Sequence, residues 1–185
     1  YSQNNTTNNP ELAPESKTSK EIGLETKLFN NRFGFDVAFY EDITEDLITP
    51  LQITAGTGFQ YKYFNAGKMR NRGIEASVYV NPVKTENFSW EIDWNFSKID
   101  NKLLELNGQS TSYTIGTGPF NASIVALVGE TYGQIYGFDF QYDANGNRIT
   151  RNGLYLRSTT QKSLGSVIPD YNMGLRNSFT YKGVK

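Results

Sequence analysis

Residues 88–96 carry Phe88, Trp90, Ile92, Trp94 and Phe96 at every second position, with Ser89, Glu91, Asp93 and Asn95 between them. An extended chain turns successive side chains to opposite faces, so this spacing writes one apolar and one polar face onto a single strand. A helix period does not fit it. Four further segments repeat the pattern. Ile22, Leu24, Thr26 and Leu28 oppose Glu21, Gly23, Glu25 and Lys27. Phe33, Phe35, Val37 and Phe39 oppose Gly34, Asp36, Ala38 and Tyr40. Ile74, Ala76, Val78 and Val80 oppose Gly73, Glu75, Ser77 and Tyr79. Tyr171, Met173, Leu175, Phe179 and Tyr181 oppose Asn172, Gly174, Arg176, Ser178 and Thr180. Each segment holds about the 9–11 residues with which a tilted strand crosses a bilayer.

The connections narrow the choice further. Asn30-Asn31-Arg32 and Lys84-Thr85-Glu86-Asn87 are short, turn-forming links. Residues 43–65 and 105–169, by contrast, are long links. Short turns alternating with long loops are the habit of outer-membrane barrels, whose long loops lie outside the cell. The same parity places residues 1–17 outside. A soluble β-sandwich alternates too, and a carbohydrate-binding or adhesive β-domain is the alternative. It would put Phe88, Trp90, Ile92 and Trp94 in a water-free core. Links as long as 105–169 between neighbouring strands are uncommon in such domains.

Composition agrees with strands. Twelve Tyr, twelve Phe and seventeen Gly favour strands and turns over helices. Mean hydropathy is −0.54, and no apolar run approaches the roughly 20 residues of a spanning helix. That excludes a helical membrane protein but not a barrel, whose strands alternate. A net charge of −1 offers no basic surface to nucleic acid. The chain has neither Cys nor His, so a structural zinc site, a Cys–His dyad and a Ser–His–Asp triad are excluded. No catalytic residue, metal ligand or cofactor is assigned. No signal peptide opens the sequence, which begins in a polar Asn/Thr tract.

The expected fold is an all-β, antiparallel transmembrane β-barrel. Residues 18–185 form a partial wall, with strands at about 18–29, 32–42, 66–82, 88–104 and 170–182. Loops 43–65 and 105–169 are extracellular, as is segment 1–17. Five strands are too few to close a membrane barrel, which needs about 8, and open edges are untenable in lipid. The chain is therefore expected to be a section of a larger barrel. Within 105–169, Asn145-Gly146 predicts a hairpin flanked by 138–142 and 148–155, in a small folded excursion.

Ordered motifs then resemble a known family. Asn9-Pro10-Glu11-Leu12-Ala13-Pro14-Glu15, Glu21-Ile22-Gly23-Leu24-Glu25 and Phe29-Asn30-Asn31-Arg32-Phe33 are similar to the NPxLxPE, EIGLD and FxNRL signatures of SusC/RagA-type TonB-linked outer-membrane proteins of Bacteroidota. Ala66-Gly67, Asn71 and Gly73-Ile74-Glu75 resemble the family's AGxxxNxGIE segment, and Asn81-Pro82-Val83 follows. Asn87-Phe88-Ser89-Trp90 and Asn95-Phe96-Ser97 resemble its NFSW and NFS stretches. Val128-Gly129, Tyr132-Gly133 and Ile135-Tyr136-Gly137-Phe138 resemble its VGxxYGxIYGY loop, and Leu164-Gly165 with Ile168-Pro169-Asp170 precedes the last strand. The resemblance implies a plugged barrel of about 22 strands in the outer membrane of a Gram-negative bacterium. Such proteins import oligosaccharides, peptides or other bulky nutrients with energy relayed by TonB. A SusD-like surface lipoprotein forms the lid, and outer-membrane lipid surrounds the wall. The plug and the TonB-binding segment are expected outside this sequence.

Candidate site residues fall into two groups. Glu21, Glu25, Asp36, Glu75, Glu91 and Asp93 share the polar faces and are expected to line the lumen. Glu91 and Asp93, at i and i+2, stand roughly 6–7 Å apart, the carboxylate spacing of an inverting glycosidase; a polar lumen accounts for them without catalysis. Trp90 and Trp94, on the apolar face, suit the aromatic girdle better than sugar stacking. Asp143, Asn145 and Asn147 echo a calcium loop, but its glycine comes two residues early and no Glu closes the frame. Tyr61, Tyr63, Tyr132, Tyr136 and Phe138 lie in the long loops and are the candidates for substrate contact, since aromatic faces suit sugars and peptides.

Overall fold

In the computed structural model, residues 5–106 and 110–184 are described; residues 1–4 of the polar tract, 107–109 of the second long loop and Lys185 lie outside them. The described strands in chain order are β1 (Thr6–Thr7), β2 (Ser16–Leu28), β3 (Phe33–Glu45), β4 (Ile48–Gln52), β5 (Tyr61–Asn65), β6 (Gly67–Lys84) and β7 (Phe88–Leu106). After them come β8 (Ser112–Thr117), β9 (Ser123–Leu127), β10 (Gln134–Phe140), β11 (Thr150–Arg151), β12 (Leu154–Tyr155), β13 (Arg157–Ser166) and β14 (Asn172–Tyr181). Two compact units emerge. One comprises Lys17–Ile43, Arg70–Asn101 and Pro169–Lys185; the other comprises Tyr1–Ser16, Thr44–Met69 and Lys102–Ile168.

The first unit holds an open antiparallel sheet in the order β14-β7-β6-β3-β2. Its turns follow from local chemistry. Phe29, Asn30 and Asn31 take φ of 54°, 54° and 61°, and the Arg32 N–H closes onto the Leu28 carbonyl at 3.1 Å. Asn adopts this left-handed geometry at low cost. At the second turn the Thr85 hydroxyl accepts the Phe88 N–H at 3.0 Å. Between β7 and β14 the register sets Trp90 opposite Phe179 and Asp93 opposite Arg176. Trp90 and Phe179 stack at 5.7 Å with ring planes 15° apart, and Trp94 and Phe96 stack at 5.9 Å. Such cross-strand and same-face aromatic pairs each contribute about 0.5–1.5 kcal/mol beyond their area.

The apolar face is bare. Ile22 is 74% exposed, Leu24 61%, Met173 62% and Leu175 65%. A soluble domain would need a further layer over such a surface. A lipid-facing wall needs no cover.

The strands also outrun their alternation. β6 and β7 are 18 and 19 residues long, beyond the 9–11 that cross a bilayer; past the alternating stretch β7 continues through Ile99, Leu103 and Leu104, of which Leu103 is fully buried.

The second unit is built from the long loops. β1, β5 and β4 form a three-stranded sheet in that order, with β1 parallel to β5. The segment leading into β2 is stitched to it. The Asn65 side chain accepts the Ala13 N–H at 2.8 Å and donates to the Ala13 carbonyl at 2.7 Å. A Glu15 carboxylate oxygen accepts the Ile48 N–H at 2.7 Å.

The loop 105–169 is more structured than a small excursion. The hairpin at Asn145-Gly146 exists, closed by the Tyr142–Arg148 bridge. Most of the loop, however, is a four-stranded sheet, β13-β10-β9-β8. Leu103 is fully buried beneath two rungs, in which its N–H donates to the Glu130 carbonyl at 3.0 Å and its carbonyl accepts the Gly129 N–H at 2.8 Å.

Candidate functional site

The polar face of the wall gathers some of its carboxylates and disperses others. Glu21, Asp36 and Glu75, from β2, β3 and β6, line one depression of about 460 Å³ with Ser77, Asn95 and Ser97. Glu25 pairs with Lys27 two residues along the same strand, at 2.7 Å. Asp93 accepts both the Nε and Nη2 of Arg176, at 3.1 and 2.9 Å. Glu91 stands opposite Ser178. Asp93 is thus paired with a cation across the strand pair through one carboxylate oxygen. The polar face is a mixed-charge surface.

The loop aromatics occupy two separate sheets. Tyr61 and Tyr63 alternate on β5, opposite Gln52 and Pro50 of β4. Tyr136 and Phe138 alternate on β10, opposite Ser163 and Gln161 of β13. The Arg157 guanidinium lies 4.1 Å from the centre of the Phe138 ring. Tyr132 meets Tyr113: the hydroxyls are 2.8 Å apart and the rings edge-to-face at 6.3 Å. Burial, then the Tyr132 hydroxyl, pushes the Tyr113 phenol well above its ordinary range, while Thr49 on β4 supplies a further hydrogen bond to it. These hydroxyls tie the β4–β5 sheet to the β8–β9 side of the second sheet.

Several of these contacts had no local sequence signal. Arg157 joins Phe138 through a pairing outside the predicted hairpin, whereas Arg148 and Tyr155 reach Phe140 across the hairpin itself. Arg148 lies 4.4 Å from the Phe140 ring centre, and Phe140 meets Tyr155 edge-to-face at 5.3 Å. Asp139 pairs with Lys162 at 2.6 Å, which lowers the carboxyl, helped by the Phe140 N–H, and raises the lysine. Asp143 spends its carboxylate on its own hairpin. It accepts the Asn145 and Asn147 N–H groups at 2.9 and 2.8 Å, and the Asn147 side-chain amide as well. The calcium-like spacing is therefore a turn.

The glycine-rich stretch at 129–137 has a packing role. Gly133 has φ of +84°, and a Cβ there would lie 2.5 Å from Val167 Cγ2. A Cβ at Gly137 would lie 2.8 Å from Leu164 Cδ1. β13 and the chain after it can approach β10 only because these positions lack side chains.

An antiparallel sheet with one bare apolar face and one charged face has the build of a section of transmembrane β-barrel wall. Comparison with known proteins agrees. Residues 1–184 match a family described as "TonB dependent receptor-like, beta-barrel", and the chain belongs to that family. Among similar proteins, the TonB-dependent receptor P26 of Formosa agariphila is 30% identical over 95% of this chain and 20% of its own length. The TonB-dependent receptor SusC of Bacteroides thetaiotaomicron is 28% identical over 94% of this chain and 19% of its own. The chain thus spans about a fifth of the relatives it matches. In fold it is similar to the RagAB peptide transporter, with a TM-score of 0.76 at 19% identity, over 95% of this chain and 20% of that one. These likenesses bear out the SusC/RagA-type resemblance of the motifs.

Proposed function

We propose that this chain is part of the wall of a TonB-dependent transporter that carries a bulky nutrient, an oligosaccharide or a peptide, across the outer membrane of a Gram-negative bacterium. The carrying observation is the two-faced sheet: an uncovered apolar face backs a face bearing Glu21, Asp36, Glu75 and the Asp93–Arg176 pair. Segment 1–17 and loops 43–65 and 105–169 face the outside. Loop aromatics, Tyr61, Tyr63, Tyr132, Tyr136 and Phe138, contact the substrate beneath a SusD-like lipoprotein lid. Energy comes from TonB through a segment outside this sequence. Glu25, Glu91 and the other polar-face carboxylates line the passage, and the chain performs no chemistry.

Membership of the TonB-dependent receptor family supports the transport reading. The RagAB proteins, similar in fold, are described as a peptide transporter, which supports a bulky cargo. The test uses the full-length transporter in its host. Tyr132→Ala and Tyr136→Ala should weaken binding and uptake of the growth substrate, while Glu91→Gln with Asp93→Asn should leave uptake largely intact. Unchanged affinity in both tyrosine variants removes them from the binding site. Loss of activity in the carboxylate variant with normal folding would instead reopen catalysis.

A further inference from the structure

At its loop-bearing end, the apolar face of the wall changes character within one residue pair on each of four neighbouring strands. Lys20 and Ile22 on β2, Phe39 and Glu41 on β3, Arg72 and Ile74 on β6, and Lys98 and Asp100 on β7 line a single open depression of about 630 Å³. By the strand period all eight side chains belong to the apolar face. The ion pairs agree: Arg72 Nε and Arg70 Nη2 reach the same Asp100 oxygen at 2.7 and 3.3 Å.

Two chemistries therefore meet along one line. Ile22, Phe39 and Ile74 give a floor for hydrocarbon. Lys20, Arg72 and Lys98, with Arg70 beside them, give a rim in which four cations face Glu41 and Asp100; Glu21, from the other side of β2 by the strand period, also borders the depression and leaves the balance positive. Asp100 is already shared by two arginines. At the opposite end of the same face stand the uncharged Leu28, Phe33, Phe88 and Tyr181.

The height of this rim fits a membrane boundary. From Phe88 to Lys98 is ten residues, roughly 34 Å of strand. At a tilt of about 40° that is on the order of 25 Å along the membrane normal, the height of the apolar band of such barrels. Ammonium and guanidinium groups at that level meet headgroups, and a net positive cluster selects anionic ones.

We propose that this depression is a binding site for an outer-leaflet lipid with a phosphorylated headgroup. Its acyl chains lie on Ile22, Phe39 and Ile74, and its phosphate is held by Lys20, Arg72 and Lys98. Arg70 fixes the Asp100 carboxylate, so that Arg72 keeps donors for the ligand. The inference rests on the reading that the long loops face outwards.

The full-length transporter, delipidated in mild detergent, is titrated with diphosphoryl lipid A, and bound lipid is counted by native mass spectrometry. Each basic group near an anionic headgroup accounts for about a fivefold change. Lys20→Gln/Arg72→Gln/Lys98→Gln is therefore expected to bind about a hundredfold more weakly, while a Lys84→Gln/Lys182→Gln control matches the parent. Dephosphorylated lipid A is expected to bind as weakly as the triple variant does. Equal binding by parent and triple variant, or by the two forms of lipid A, overturns the site. Tight binding of inorganic phosphate alone assigns the cluster to a soluble anion and overturns the lipid. If the triple variant loses its heat-modifiable folded band, Lys98→Gln alone is measured, with about a fivefold loss expected. Orientation is tested separately with Asn145→Cys in a background free of other accessible cysteines. An impermeant maleimide should label it on intact cells, and no labelling overturns the leaflet assignment whatever the lipid result.

Discussion

Gly133, Gly137 and Gly146 separate two costs that a methyl group can impose on the long loop 105–169. Gly146 has φ of +82° and nothing within 4 Å of a built Cβ, so Gly146→Ala adds backbone strain alone. Left-handed backbone costs an L-residue about 1–2 kcal/mol, and the lower entropy of alanine in the unfolded chain offsets part of it, leaving about 1 kcal/mol. Gly137 is the reverse case. Its Cβ would meet Leu164 Cδ1 at 2.8 Å, the far end of a flexible side chain that is 50% exposed; moving it costs under about 1 kcal/mol. Gly133 combines both effects, with φ of +84° and Val167 Cγ2 at 2.5 Å. Valine is stiff at χ1, which puts Gly133→Ala at about 2 kcal/mol and speeds local opening about thirtyfold. Hydrogen exchange of the full-length protein reads it at the Val167 N–H, bonded to the Gly133 carbonyl at 3.0 Å. The Gly146 variant is read at the Asp143 N–H, bonded to the Asn147 carbonyl at 2.9 Å. If Gly133→Ala exchanges no faster than parent, or Gly137→Ala exceeds it, the packing account of the motif is wrong.

Three further outcomes are expected. Val78→Arg on the apolar face of β6 should cost about 2–4 kcal/mol in folding of the full-length barrel if it sits at mid-depth in lipid, read from urea-titrated folding into micelles; a change under about 0.5 kcal/mol contradicts a lipid-facing Val78. Asn65→Ala removes both hydrogen bonds to Ala13, together worth about 1–3 kcal/mol, and should expose the segment before β2 to protease at least several times faster than in the parent. Asp143 is held below the usual carboxylate range, first by the Asn147 N–H and then by the Asn147 side chain. Its folded pKa therefore lies below its unfolded one, so its contribution is complete above the unfolded value and is lost as pH falls through the folded value. Protection of the Asn147 N–H, corrected for intrinsic exchange, should hold through mildly acidic pH and drop below it. The drop should vanish in Asp143→Asn, and a matching drop in that variant would refute the assignment.

The sheet was legible because its two faces differ. Phe88, Trp90, Ile92, Trp94 and Phe96 are set apart from Ser89, Glu91, Asp93 and Asn95, and that separation is written in sequence as a period of two, as a wall between lipid and a polar passage requires. The strands expected at 66–82 and 88–104 nearly coincide with β6 and β7, whose upper parts depart from strict alternation. The loop sheet was legible only at its turn. Asp143, Asn145 and Gly146 announce a hairpin because their chemistry is local, whereas β8 and β13 are rich in Ser, Thr and Gly with no consistently apolar face. β10 finds β13 only across the whole intervening ribbon β11–β12, so no window of sequence contains the pair. The candidate site divides along the same line. The wall carboxylates could be assigned to a face from the sequence, but the Asp93–Arg176 pair needed the register. Tyr132 could be singled out as an aromatic in a motif, but not as the partner of Tyr113. That distinction bears on function: an aromatic already engaged in joining two loop sheets can shape a binding surface without touching the cargo. Tyr132→Phe keeps the ring and removes the bond to Tyr113. If uptake falls in Tyr132→Phe as far as in Tyr132→Ala, the residue acts through loop position; if only the alanine variant is impaired, the ring itself faces the substrate or the lid.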